Sequence, residues 1–221
     1  MKLLLNSCMA DEIERARDWA ILSGVTMNPS MVSELEDDYV GKLREICEIV
    51  DVPVFAQVVS TGPSSILEEG KALAEIAPQI VVKVHTSYDG IKGMALLKKA
   101  GVPVCATAIH STIEALVAAQ IGADHAAVFI GLLAEIDEIS VDDLLTGIRT
   151  MYDRIGASTQ LLVAARSIGQ VVNAAILGVD EVTCSFRIWS EFLNNAHTKQ
   201  RWERFSSDWR AAYGDRNWIT G

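Results

Sequence analysis

Gln79-Ile-Val-Val-Lys-Val-His85 decides how this chain is read. Its β-branched residues, bounded by Pro78 before and Asp89-Gly90 after, read as a buried parallel strand with apolar neighbours above and below. Lys83 stands in the middle of it. An ammonium left unsolvated there costs several kcal/mol, and the usual escape is a lowered pKa. A lysine that is neutral part of the time at pH 7 attacks carbonyl carbon, so the sharp reading is a Schiff base on Lys83. The plain reading puts Lys83 at a strand end, snorkelling to solvent or paired with a carboxylate.

Outward from that strand the same alternation repeats. Strands are expected at Lys2 to Asn6, Gly24 to Thr26, Pro53 to Val58, Gly101 to Ala106, His125 to Phe129, Gln160 to Ala164 and Gly178 to Thr183. Helices are expected at Asp11 to Ile21, Met31 to Val50, 64–76, Asp89 to Ala100, Ser111 to Ile121, Val141 to Ile155, Ile168 to Leu177, 188–194 and 197–213. Pro29 blocks helix and ladder alike, and Ser30 is placed to cap the helix after it. Strand followed by helix through the whole chain predicts a (β/α)8 TIM barrel with an extra C-terminal helix, in one domain spanning 1–221. The competing architecture, a doubly wound open sheet, lacks the Gly-x-Gly-x-x-Gly turn after the first strand that its dinucleotide-binding form needs.

Composition narrows the function. Half of the 221 residues are hydrophobic, enough to bury a core without staples. A net charge of −10 and a pI near 4.8 argue against nucleic acid and anionic membrane as partners. Cys8, Cys47, Cys105 and Cys184 are widely spaced, with no C-x-x-C pair or histidine cluster to signal zinc or redox chemistry. Reduced thiols, together with an N-terminus too short in apolar residues for a signal-peptide core, lead to the expectation of a cytoplasmic protein.

In such a barrel the chemistry sits where strands end. Those positions carry Asn6, Thr26 to Asn28, Gln57, Lys83 to His85, Thr107, Phe129, Ala164 to Ser167 and Thr183 to Ser185. Lys83 and Arg166 are the permanent cations among them. No carboxylate pair faces another, which argues against glycoside hydrolysis, and no His/Asp/Glu group has metal-ligand spacing, so neither metal nor cofactor is expected. An amine among amides and hydroxyls suits iminium chemistry, in which the protonated imine is the electron sink.

Four of these segments carry a resemblance. Gly24-Val-Thr-Met-Asn-Pro-Ser30, Val54-Phe-Ala-Gln-Val58, Ile80-Val-Val-Lys-Val84 and Ala106-Thr-Ala108 resemble the active-site strands of the transaldolase family. The likeness is strongest to its short branch of fructose-6-phosphate aldolases and small transaldolases. It runs over nearly the whole chain, down to a closing helix at Trp202-Glu-Arg-Phe-Ser-Ser-Asp-Trp209. It implies that Lys83 attacks a ketose C2 carbonyl, that Asn28, with Thr26 beside it, binds hydroxyls of a dihydroxyacetone unit, and that Gln57 and Thr107 hold a proton-relaying water. The partners so implied are a ketose donor and an aldehyde acceptor. Pentamer rings, often paired into decamers, are also implied, with the 197–213 helix packed on a neighbouring subunit. Trp202, Phe205, Trp209 and Tyr213, at three- and four-residue steps along that helix, form a stripe suited to such a contact.

Departures from the family pattern matter as much as the matches. The aspartate expected at the end of the first strand is Asn6, and an amide cannot take the proton that accompanies C–C cleavage. The aldolase branch's tyrosine on the sixth strand is Phe129, a transaldolase feature, whereas Gln57 is an aldolase one. At the phosphate end, an arginine is replaced by Leu132 and a serine by Ala164, leaving Arg166 and the adjacent Ser167. The acidic run Glu135 to Glu138 disfavours an anion, so the mouth suits a neutral or short substrate better than a sugar phosphate. His85 and His110 are the candidate replacements for the missing proton carrier, since an imidazole titrates near neutrality. His85 follows Lys83 by two residues, so both point to the same side of the strand. Glu34, Glu36, Asp37 and Asp38 are expected to form a solvated helix face. Two functions stay open from sequence: a Schiff-base aldolase or transaldolase, and a diverged barrel that binds a carbohydrate or carbonyl ligand without efficient cleavage.

Overall fold

The computed structural model describes residues 1–35, 38–133, 140–192, 194–217 and 219, with 132 and 133 described by backbone alone. Among them, eight strands form a closed, wholly parallel barrel in chain order. They are β1 (Lys2–Asn6), β2 (Leu22–Thr26), β3 (Val54–Gln57), β4 (Ile80–His85), β5 (Val104–Ile109), β6 (His125–Val128), β7 (Gln160–Ala164) and β8 (Glu181–Cys184). The helices are α1 (Ala10–Asp18), α2 (Pro29–Ser33), α3 (Tyr39–Ile49), α4 (Pro63–Ala74), α5 (Tyr88–Lys99), α6 (Thr112–Ile121), α7 (Ile130–Leu133), α8 (Val141–Ile155), α9 (Ile168–Ile176), α10 (Phe186–Phe192) and α11 (Ala196–Tyr213). The expected (β/α)8 barrel and its extra terminal helix are therefore present.

Three expectations need correction. The single helix expected from Met31 to Val50 is two, because Asp38 turns its carboxylate onto the N–H groups of Val40 and Gly41 and starts α3 afresh. Such a local bond competes with continued helix. Glu36 and Asp37 lie outside the described residues; Glu34 and Asp38 are exposed, as a solvated face requires. Secondly, Ser30 does not cap α2. Asn28 does so, held extended by Pro29 and accepting from the Met31 N–H at 3.1 Å. Thirdly, β5 runs to Ile109, three residues past the expected end, which places Thr107 inside the strand.

Alternate strand residues point outward to the helices or inward to the lumen. The outward set joins the helices' buried faces in one large apolar layer. The inward set forms a separate small core of Leu4, Phe55, Val81, Cys105, Ala127 and Leu162, with Phe129 above it. Below this layer a polar plug closes the barrel. The buried Glu181 carboxylate meets Lys2 Nζ at 3.2 Å and His125 Nδ1 at 2.7 Å, and the edge of Phe55 packs against the His125 ring. Burial pushes the Glu181 carboxyl up, but the hydrogen bonds and charges of His125 and Lys2 outweigh it and hold the carboxyl below its ordinary value. Lumen access is thereby restricted to the C-terminal ends of the strands, where Lys83 lies.

Candidate active site

Lys83 sits in the middle of β4 and is 5% exposed. The register of β3–β4–β5 sets Gln57 and Cys105 on either side of it. Its Nζ has one weak polar contact, the Met27 carbonyl at 3.4 Å, and no ion pair among the described residues. Burial lowers its pKa from the ordinary 10.5. The neighbouring Cys105 thiolate would oppose that shift, but the thiol is itself pushed up to about 12 by burial. At neutral pH it is a neutral S–H and gives Lys83 no counter-charge. Lys83 therefore neither snorkels to solvent nor pairs with a described carboxylate.

The amine opens onto a cavity of about 180 Å³. Asn6, Thr26, Asn28, Phe129, Ala164 and Arg166 line it with Lys83, as does Thr183, a strand-end position. Thr183 and Thr26 hydroxyls are 2.6 Å apart, and Thr26 donates to Asn6 Oδ1 at 3.1 Å. The Asn6 carbonyl oxygen thus already accepts one hydrogen bond, and its amide offers N–H donors but no group basic enough to take a proton.

A second, more open cavity of about 470 Å³ adjoins the first and shares Asn28 and Phe129 with it. Gln57, His85, Thr107 and Ala108 form its inner wall. Ala108 has φ +60°, left-handed for a residue with a Cβ, and the β5–β6 register shifts between Ala106 and Ile109. Strain of this kind is held only where surrounding structure enforces it, and here it re-aims the wall of a cavity. Tyr39 had no sequence signal, because the expected continuous helix hid it. From the first turn of α3 its hydroxyl accepts from the Gln57 N–H at 2.8 Å and donates to the Gln57 carbonyl at 3.1 Å, anchoring the end of β3.

The remaining expected site residues lie apart. Ser167 lines neither cavity; its Oγ caps α9 by accepting from the Gln170 N–H. His110 also lines neither, and its ring stands edge-on to Phe129 with centroids 6.3 Å apart. The Leu132 side chain and the acidic run Glu135 to Glu138 lie outside the described residues. Neither cavity has a described carboxylate in its lining, and among the described residues no group of three or more His, Cys, Asp or Glu is placed to hold a metal ion.

Arg166 owes its place to Gly131, since a Cβ built there would overlap the guanidinium. Changing Gly131→Ala should swing Arg166 off the cavity while leaving the fold intact, because the displaced group is the end of a flexible side chain. The affinity of the cavity for a small anion is expected to fall about tenfold, the worth of one charge-assisted contact, and that for a neutral analogue by much less. Equal effects on both would remove Arg166 from anion binding.

A closed parallel barrel whose lumen opens into a cavity at the C-terminal ends of the strands, with the buried Lys83 in its lining, has the layout of a barrel enzyme. The sequence comparisons narrow this. Residues 3–214 match the family model described as transaldolase/fructose-6-phosphate aldolase, and the chain belongs to that family. It is 36% identical to a "Probable transaldolase" of Symbiobacterium thermophilum, covering 97% of this chain and 99% of the other. A protein of the same name from Coprothermobacter proteolyticus is 32% identical, again over 97% of this chain and 99% of its own length. One from Ruegeria pomeroyi is 36% identical over 96% and 98%. The family's enzymes are transaldolases and aldolases of the Schiff-base type, as the strand motifs led one to expect.

Proposed function

We propose that Lys83 is the Schiff-base lysine of an enzyme that makes or breaks a C–C bond in a ketose bearing a dihydroxyacetone-type unit. One observation carries this: a buried amine with a lowered pKa, and no counter-ion among the described residues, faces a cavity lined in part by amides and hydroxyls. The neutral amine adds to the C2 carbonyl, water leaves, and the resulting iminium withdraws electrons from the C3–C4 bond. Asn28 has its oxygen committed to the α2 cap, so its amide N–H groups bind donor hydroxyls. Gln57 and Thr107 hold the water that leaves and returns. Phe129 and Ala164 supply apolar wall, and Arg166, the one guanidinium among the described lining residues, attracts an anionic end.

Cleavage and transfer share every step as far as the enamine; protonation yields aldolase activity, and capture by a second aldehyde yields transaldolase activity. The narrow cavity and single guanidinium favour neutral or short acceptors. The test is to incubate the protein with a ketose donor, with and without an aldehyde acceptor, and to follow free dihydroxyacetone and new ketose. Donor-dependent formation of either product, unchanged by a chelator, is expected. No product from any donor would reject the reading.

The protein is further proposed to be a cytoplasmic homo-oligomer, a pentamer ring or a pair of rings as the family resemblance implies. None of its four cysteines is in a disulfide, and no helix among the described residues is long and apolar enough to cross a membrane. Along α11 no residue is buried, and Trp202, Phe205, Trp209 and Tyr213 are exposed. Elsewhere on the same chain, Leu3, Ile168, Val172, Ile176 and Phe192 line an apolar groove. The helix of one subunit seated in the groove of the next would bury both surfaces and close a ring. The double change Trp202→Glu and Phe205→Glu should reduce the particle to monomer in sedimentation; an unchanged mass would exclude α11 as the contact.

A further inference from the structure

With Asn6 at the end of the first strand, the Lys83 cavity has no carboxylate among its described lining residues, and the second cavity holds a group able to act in its place. His85 and Thr107 are cross-strand partners on β4 and β5, and both line that cavity. His85 Nε2 and Thr107 Oγ1 are each buried without a hydrogen-bond partner among the described residues. Two orphaned polar atoms on adjacent inward positions are a costly arrangement unless something bridges them. The His85 ring is packed against the start of α5, where a Cβ at Gly90 would meet Nδ1 at 3.0 Å and overlap the His85 carbonyl oxygen. Gly90 therefore lets the helix close on the imidazole and restrict its orientation. With Gln57 in the same wall, His85 and Thr107 provide the three polar partners that a bridging water requires.

We propose that His85 is the proton carrier of the reaction, replacing the carboxylate that Asn6 cannot supply; this rests on the Schiff-base reading of Lys83. In the cleaving direction neutral His85 takes the proton of the C4 hydroxyl through a water held by Thr107 and Gln57. The C4–O bond becomes the aldehyde carbonyl, the C3–C4 bond breaks, and its electron pair enters the C2–C3 enamine and neutralises the iminium nitrogen. The imidazolium then returns its proton to C3, or to the alkoxide formed when C3 adds to a second aldehyde. His110, whose Nε2 is also orphaned, lines neither cavity and takes no part.

The test uses the full-length protein, its His85→Gln variant and its His85→Gly variant with and without added imidazole. Dihydroxyacetone and borohydride measure imine formation on Lys83 by mass, and donor-dependent product measures turnover. The expected result is trapping close to wild type in both variants, turnover lower by about 100-fold, and partial recovery of turnover when imidazole is added to His85→Gly. Trapping retained with wild-type turnover in His85→Gln overturns the assignment of His85 while leaving Lys83 in place. Loss of trapping in the variants overturns it too, by showing that His85 supports the amine site itself. No trapping in the wild type removes the Schiff-base reading and this inference with it.

Discussion

Lys83→Met should abolish turnover and make the protein more stable at neutral pH. The loss, ~10⁴-fold or more, follows from removing the atom that bonds to substrate, for which no neighbour substitutes. The gain follows from burial. Because burial holds the Lys83 pKa below 10.5, the unfolded chain binds a proton that the folded chain does not, in the window from that lowered value up to about 10.5. Stability contributed by this site therefore rises with pH across the window, and wild type carries a penalty at pH 7. Methionine fills similar space with no charge to desolvate, so Tm should rise by several degrees, at roughly 2–4 °C per kcal/mol for a chain of this size. The difference should shrink as pH approaches 10.5. A variant less stable than wild type at pH 7 would mean that the amine is charged and well paired in the folded state.

Asn6→Asp should have little effect alone and a large one in the His85→Gln background. The position is ready for a carboxylate: the hydroxyl chain from Thr183 through Thr26 donates to Asn6 Oδ1 and would donate equally to aspartate. In the wild type, where His85 already carries the proton, a second base adds about a few-fold at most. With His85 removed, the aspartate restores about 100-fold, the worth of one general base. Two groups serving one step are non-additive in this way, and the double-mutant cycle over positions 6 and 85 measures it. Equal gains in both backgrounds would mean that the two positions serve different steps.

How far the sequence was legible follows from the physics at each position. Strand existence was readable because β-branched runs between Pro and Gly have few other uses, and Lys83 was readable because a cation in such a run is anomalous. The inward aim of His85 came from strand periodicity alone. By contrast, the end of β5 was missed because Ala108 adopts a left-handed conformation that its side chain does not announce. The break before α3 was missed because Asp38 reads equally well as a solvated face and as a cap. Tyr39 and Gly131 act through single tertiary contacts, one with the Gln57 backbone and one with the Arg166 guanidinium. No local pattern encodes either. Ser167 has the right residue type in the right loop, yet its hydroxyl is spent on a helix N-terminus, a use indistinguishable from substrate binding by spacing.

Mass spectrometry of the protein reduced with borohydride in the presence of saturating dihydroxyacetone shows whether Lys83 forms the imine. One added donor per chain is expected, as a stable amine on the peptide containing Lys83, and none in Lys83→Met. An unmodified Lys83 peptide, or a donor attached at any other lysine, would contradict it.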